Sequence, residues 1–199
     1  MAGTTWNPAD RTNITLSLGN LRAATTAGGA SGVRGIASQA AGKFYWEYTY
    51  TTVNTNSLCC GIALSTGSLT APGTGTAVVT RLAGTIQVNA VSVGGAIGAI
   101  PGGGVVGIAV DFAAQLIWFR LGAAGNWNGS GTANPATGAG GVSISTISSG
   151  PLFPLMSGST SDALTANFGD SAFSGAVPSG FVAGFPAAGT AGPRQSLVA

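Results

Sequence analysis

Val105-Val106-Gly107-Ile108-Ala109-Val110-Asp111-Phe112-Ala113-Ala114-Gln115-Leu116-Ile117-Trp118-Phe119-Arg120 is the densest apolar stretch of the chain. Both its halves are rich in β-branched and aromatic residues, which suit a pleated, packed surface. It reads as a buried β-hairpin, with strands over 105–110 and 116–120 and a turn over 111–115. Val106, Ile108 and Val110 point one way and Val105, Gly107 and Ala109 the other; Ile117 and Phe119 oppose Leu116 and Trp118. Apolar side chains on both faces imply a central strand pair with cover on each side. The glycine run Gly102-Gly103-Gly104 and Gly107 inside the stretch oppose a helix. Asp111 and Gln115 interrupt a run already short of the ~20 residues that span a membrane.

Outward from the hairpin, the same period of two recurs. Residues 43–52 alternate most clearly: Phe44, Trp46, Tyr48 and Tyr50 share one face, Tyr45, Glu47 and Thr49 the other. Asn54-Thr55-Asn56 turns the chain, and 58–64 is expected to return as the partner of 43–52. Shorter strands are predicted at 14–18, from Leu21, at 33–36, 77–81, 84–90 and 163–168. A polar strand is expected over 142–147, and one over 152–156 whose Pro154 suits an edge or a bulge. Residues 1–10 read as polar with one aromatic, Trp6, and 66–75, 94–104 and 122–141 as loops. Phe173, Pro178 and Phe181 read as a closing segment folded back on the core. No stretch holds a helical period, so the class is all-β: an antiparallel β-sandwich with little or no helix.

Composition narrows the function. The chain has 199 residues, 34 Gly and only 6% charged residues, where ordinary domains carry about 25%. Its surface must be built of Gly, Ser, Thr, Ala and Asn, which suits a protein packed against partners or bound in a particle; many turns in a Gly-rich β protein would consume the same glycines. The seven basic residues are scattered and make no stripe for phosphates or anionic lipid, so nucleic acid and membrane insertion are not expected. No signal peptide is read at 1–10.

Little in the sequence carries chemistry. With no histidine, Ser-His-Asp and Cys-His catalysis and His-based metal sites are excluded. Cys59 and Cys60 are neighbours that point to opposite faces of a strand, and read as small buried hydrophobes. The carboxylates are Asp10, Glu47, Asp111, Asp162 and Asp170. A glycosidase pair would need two of them ~5–10 Å apart. The structural expectation is that Asp111 and Asp170 bond local turn amides and that Glu47 pairs with an Arg across the sheet. Gly102-Gly103-Gly104-Val105-Val106-Gly107 satisfies a dinucleotide-binding spacing, but a strand follows it where a helix is needed. No catalytic residue, cofactor or metal is assigned. The exposed candidate is Asn126-Trp127-Asn128, with Arg120 nearby in sequence: a Trp between amides can stack on a sugar or anchor a protein. The rival expectation makes Trp127 a plug over the end of the sandwich.

Six short motifs in order resemble the SPRY (B30.2-like) domain family. Gly42-Lys43-Phe44-Tyr45-Trp46-Glu47 resembles its "GKYYWE" strand, and Cys60-Gly61-Ile62-Ala63 the "vGia" strand after it. Val106-Gly107-Ile108-Ala109-Val110-Asp111 resembles "iGvalD", Leu116-Ile117-Trp118-Phe119 "iwF", and Leu152-Phe153-Pro154 "lyP". Asn167-Phe168-Gly169 with Phe173, Pro178, Gly180 and Phe181 resembles the closing segment. The resemblance runs from about Trp6 to Phe185. It implies a bent, concanavalin-like sandwich over 1–185, followed by a flexible or docking tail at 186–199. It implies a non-enzymatic recognition module that binds through loops, here 66–75, 94–104 and 122–141. Arg120-Leu121-Gly122-Ala123-Ala124-Gly125 replaces the family's usual turn, and the insert running on to Gly141 is long. In this the chain looks more like SPRY-like proteins of bacteriophages and prophages. The resulting expectation is a virion-associated tail, fibre or capsid-surface protein, made in the bacterial cytoplasm, with other virion proteins as partners and a homo-oligomeric or multi-copy state. In that setting the sequons at Asn13 and Asn128 carry no meaning. The alternative is a carbohydrate-binding module in which Trp127 stacks on a host surface glycan.

Overall fold

The computed structural model describes residues 3–26 and 29–187. Two sheets face each other. One runs, in spatial order, β1 (Trp6–Thr12), β4 (Ser31–Gly35), β13 (Phe153–Gly158), β6 (Cys59–Ala63), β7 (Thr76–Thr80), β8 (Thr85–Val88), β9 (Val91–Ala96). The other runs β12 (Val142–Ser143), β11 (Leu116–Leu121), β10 (Val105–Asp111), β5 (Lys43–Thr52), β14 (Ala163–Asn167), β3 (Arg22–Thr25), β2 (Ile14–Ser17). A short β15 (Val182–Ala183) lies parallel to β5, pairing Val182 with Phe44 and Ala183 with Tyr45; the other pairings are antiparallel. Regular helix among the described residues is limited to three single 3-10 turns. This is the antiparallel β-sandwich that the alternation predicts.

The hairpin that leads the reading forms as expected, from Val106–Leu121 to Asp111–Leu116. Val106, Ile108, Val110, Ile117 and Phe119 face the other sheet, beside Phe44, Trp46, Tyr48 and Tyr50. Trp6 closes this layer, stacked on Tyr48 with ring centroids 5.5 Å apart. The opposite face of the hairpin carries Ala109 and Trp118, which form a second apolar layer with Tyr45. The two cysteines divide as the strand period requires: Cys60 enters the main core, and Cys59 faces outward beneath Leu69. Both are free thiols.

Several expectations are corrected. Residues 58–64 do not pair with 43–52: β5 already has β10 and β14 on its two edges, and β6 crosses to the other sheet between β13 and β7. Pro154 sits in an inner strand, not at an edge; it is in register with Ile62, and the ladder to β4 begins one residue later at Leu155–Arg34. Its ring lies on Gly35, where a Cβ would meet Pro154 at 3.1 Å. Polar residues 6–12 form the edge strand β1, and 91–96, of which 94–96 was expected in a loop, form β9. Only Val142–Ser143 of the polar strand is extended; Ser145–Ile147 is a 3-10 turn. Phe173 and Phe181 pack on the outer layer with Tyr45 and Trp118 instead of the inter-sheet core. It is Phe185 that enters the core, fully buried. Of the expected tail, 188–199 lies outside the described residues.

Candidate functional site

β5, β10 and β11 present Tyr45, Glu47, Gly107, Ala109, Trp118 and Arg120 on the face turned away from the core. Strand alternation alone places them there. Two irregular segments cover this face: 122–141, which carries Trp127, and the chain after β14, which carries Phe173, Val177 and Phe181. Between cover and sheet lies a buried polar chain. The Arg120 Nη2 donates to the Tyr45 hydroxyl at 3.1 Å and to the Ala176 carbonyl at 3.1 Å. The Tyr45 hydroxyl donates to Glu47 Oε1 at 2.5 Å. Glu47 also accepts the amides of Ser174 and Gly175, each at 2.8 Å. Glu47 is therefore not paired with an arginine as expected: the Tyr45 hydroxyl stands between it and Arg120. Burial first, and then the bond to Glu47, push the Tyr45 phenol well above its ordinary range, against an opposing pull from Arg120.

Arg120 is itself buried and lies over the Trp127 ring, 4.4 Å from its centroid. Trp127 is half-buried and meets Tyr45 edge-on at 6.2 Å. It covers the outer face of the sheet. Asn126 is exposed beside it. Asn128 is buried and fully engaged. Its Oδ1 accepts from Phe119 N at 2.8 Å, and its Nδ2 donates to Ile117 O at 3.1 Å and Gly140 O at 2.9 Å. β12 pairs with β11 only as far as Ile117. The Asn128 amide then offers the acceptor and donor that a neighbouring peptide group would offer, and continues the ladder along β11. Asn128 and Gly129 both have positive φ, 48° and 70°, the conformation an Asn-Gly turn supplies.

The three loops expected to bind do not share one place. Residues 94–104 and 122–141 meet: a Cβ on Gly95 would lie 2.4 Å from the Asn128 carbonyl. The 66–75 loop covers the outer face of the other sheet. There Leu69 packs over Cys59, Ala63, Val78 and Leu155. The Arg34 Nη1 holds it by donating to Gly67 O at 2.5 Å, while the Arg34 Nε pairs with Asp10 at 2.7 Å.

The remaining carboxylates also serve the framework. Asp111 pairs with Lys43 at 2.8 Å and accepts the Ala114 amide at 3.0 Å, a turn role as expected. Asp162 is fully buried and accepts from Asn54 N, Thr55 N, Ser159 N and the Thr55 hydroxyl, so it ties the β5–β6 crossover to the β13–β14 turn. Asp170 accepts the distant amide of Gly3 at 3.1 Å, where a local turn bond was expected. Sequence reasoning missed Tyr45 as the hinge of the polar chain and Asp162 as a hub. The one available signal was Glu47, an ionisable group on a strand of aromatics, which a buried setting must satisfy. Among the described residues no helix is long and apolar enough to cross a membrane, and no three His, Cys, Asp or Glu side chains gather as metal ligands.

No family model and no curated protein sequence matches the chain. Solved structures do match. The SPRY domain of human HERC1 superposes with a TM-score of 0.62 at 12% identity, covering 81% of this chain and 96% of that one. The TRIM65 PSpry domain superposes with a TM-score of 0.59 at 14% identity, covering 83% and 90%. With the strand order already described, the likeness establishes that this chain adopts a SPRY-like β-sandwich fold.

Proposed function

We propose that the chain is a non-enzymatic recognition module that works by contact with other proteins, as a multi-copy component of a phage or prophage particle. The observation that carries the reading is where the few charges go. Of seven basic and five acidic residues, Arg34, Arg120, Glu47, Asp111 and Asp162 are buried. Each of these carboxylates is taken up by framework amides, hydroxyls or Lys43. What faces solvent is mainly small, uncharged loop surface. Such a surface gives little charge repulsion to keep copies apart in solution, and desolvates at little cost against a neighbour. The SPRY domains that the fold matches support a binding role, and the long 122–141 insert fits the particle setting.

The test is quantitative mass spectrometry of particles purified on a density gradient from an induced lysate of the source strain. The chain is expected in many copies per particle; its absence from the particles would overturn the reading. The carbohydrate alternative is less favoured, because Arg120 already occupies one face of the Trp127 ring. Reproducible glycan-array binding lost in Trp127→Ala would reinstate it.

A further inference from the structure

We propose that residues 170–187 form an exchangeable strap, which one copy of the chain can lay into the body of another. The proposal deepens the multi-copy reading above and rests on it for its setting.

The strap leaves β14, crosses the outer face of its sheet and returns to the core. Ser174 and Gly175 donate to Glu47, and Ala176 accepts from Arg120. Phe173, Val177 and Phe181 cover Tyr45 and Trp118. β15 then pairs with β5 at Phe44 and Tyr45, beyond the last β5 residue that β14 reaches, Glu47. Gly184 N donates to Tyr45 O at 2.7 Å, Phe185 N to Phe168 O at 2.8 Å, and Thr4 N to Phe185 O at 2.8 Å. The Phe185 ring is fully buried, with centroids 5.7 Å from Phe44 and 5.1 Å from Trp46. The slot is one backbone wide: a Cβ on Gly184 would lie 2.3 Å from Phe168 O, and one on Gly3 2.5 Å from the same atom.

Two features make the strap exchangeable. Its named partners, Thr4, Phe44, Tyr45, Trp46, Glu47, Trp118, Arg120 and Phe168, all belong to the body. An identical strap from a second copy would make the same contacts, so exchange costs only the hinge and the entropy of association. The hinge is Gly169, with φ +116°; the bonds just after it, from the Asn167 side chain to the carbonyls of Ser171 and Ala172, tie strap to body and would be remade on a second copy's Asn167. The second feature is the order of assembly. A parallel pair needs a long crossover, and this one also needs β5, Phe168 and residues 3–4 in place before it can seat. The slot lined by Phe44, Trp46 and Phe168 is therefore open late in folding. Copies held close together then compete with the chain's own strap, whose effective concentration is in the range of millimolar.

The experiment uses full-length chains in two isotopic forms, unfolded together and refolded at about 10 µM and at about 500 µM, the upper value approaching that effective concentration. The fraction of chains in dimers containing both forms should rise about twentyfold to thirtyfold across that range, and these dimers should persist on dilution, since separation requires both straps to leave their slots. Monomer at every concentration, or dimer that falls apart on dilution, would overturn the proposal. Phe185→Ala should abolish the trapped dimer. Because that variant removes a core ring, a second measurement places photo-reactive benzoylphenylalanine at the half-buried Phe181, whose ring lies 6.3 Å from that of Trp118. Cross-links in the dimer should join the strap of one isotopic form to the Trp118 region of the other; links confined to single chains would refute exchange. The two readings separate cleanly. A chain abundant in particles that never exchanges straps retains the particle reading, and exchange by a chain absent from particles retains the strap.

Discussion

Asn128 shows how one side chain can finish a sheet. Its amide makes three bonds to backbone groups: the two to β11 are buried and the one to Gly140 is partly exposed. Asn128→Ala would leave the Phe119 amide and the Ile117 carbonyl buried without partners, while the Gly140 carbonyl can turn to water; a buried unsatisfied group costs about 1–3 kcal/mol. A loss of about 2–4 kcal/mol is expected in urea unfolding, with Asn128→Asp as damaging because a carboxylate cannot donate to Ile117 and Gly140. Trp127→Ala should cost less, since that ring is half-buried. The cysteines make a second prediction. Burial pushes the Cys59 thiol up to about 12, and the Cys60 thiol higher still despite the Tyr50 hydroxyl bonded to it. Thiolate is the reactive form. Neither should react with a thiol reagent in the native protein at mildly alkaline pH, and both should react once it is unfolded.

At the scale of elements, charges fasten turns and crossovers. Lys43 and Asp111 sit opposite each other at the end of the β5–β10 ladder. Burial pulls the Asp111 carboxyl upward, but the Lys43 ammonium and the Ala114 amide outweigh it and hold the group below its ordinary value. A carboxyl lowered in the folded state stabilises it above the unfolded pKa, near 3.9, and loses that contribution as pH falls through the folded value. Asp111→Asn should therefore flatten the stability profile below about pH 4 and lower the plateau above it, measured by thermal melts across pH. Asp162 matters more, because the sheet-to-sheet crossover after β5 hangs on it. Asp162→Ala removes the acceptor of two part-buried amides in the 54–55 turn and of Ser159 N, and about 3 kcal/mol is expected to be lost.

For the whole molecule, both sheets contribute to one contiguous core, from Trp6, Val33 and Ile62 on one side to Trp46, Ile108 and Phe119 on the other. Neither sheet can keep its inner face buried without the other. Far-UV circular dichroism and tryptophan fluorescence should report a single, coincident unfolding transition; two separated transitions would contradict the shared core. The edges follow the same economy. β1 carries Pro8, Asp10 and Arg11 and a register shift, and β9 carries its own shift and is backed by the Asn128–Gly129 turn. Such devices discourage strand-to-strand aggregation. On the proposed multi-copy reading, contact between copies would then fall to the loops and the C-terminal strap.

Much of this was legible in the sequence. Alternation along 43–52 and 105–120 sorted the side chains into two faces, because a strand's period of two is a local property of the backbone. It separated Cys59 from Cys60 and put Tyr45 and Glu47 opposite Phe44 and Trp46; which face is inward came from the fold. The short motifs shared with SPRY domains pointed to the sandwich. Neighbours were not legible. Which strand lies beside β5, why Pro154 is tolerated inside a sheet, and which aromatic of the closing segment reaches the core all depend on contacts distant in sequence, which no local period encodes. The Asn126-Trp127-Asn128 triplet shows the division most clearly: its composition marked it as special, but only the tertiary structure, by bringing β11 within reach of one amide and Arg120 under one ring, decided that Asn128 is framework and Trp127 is cover.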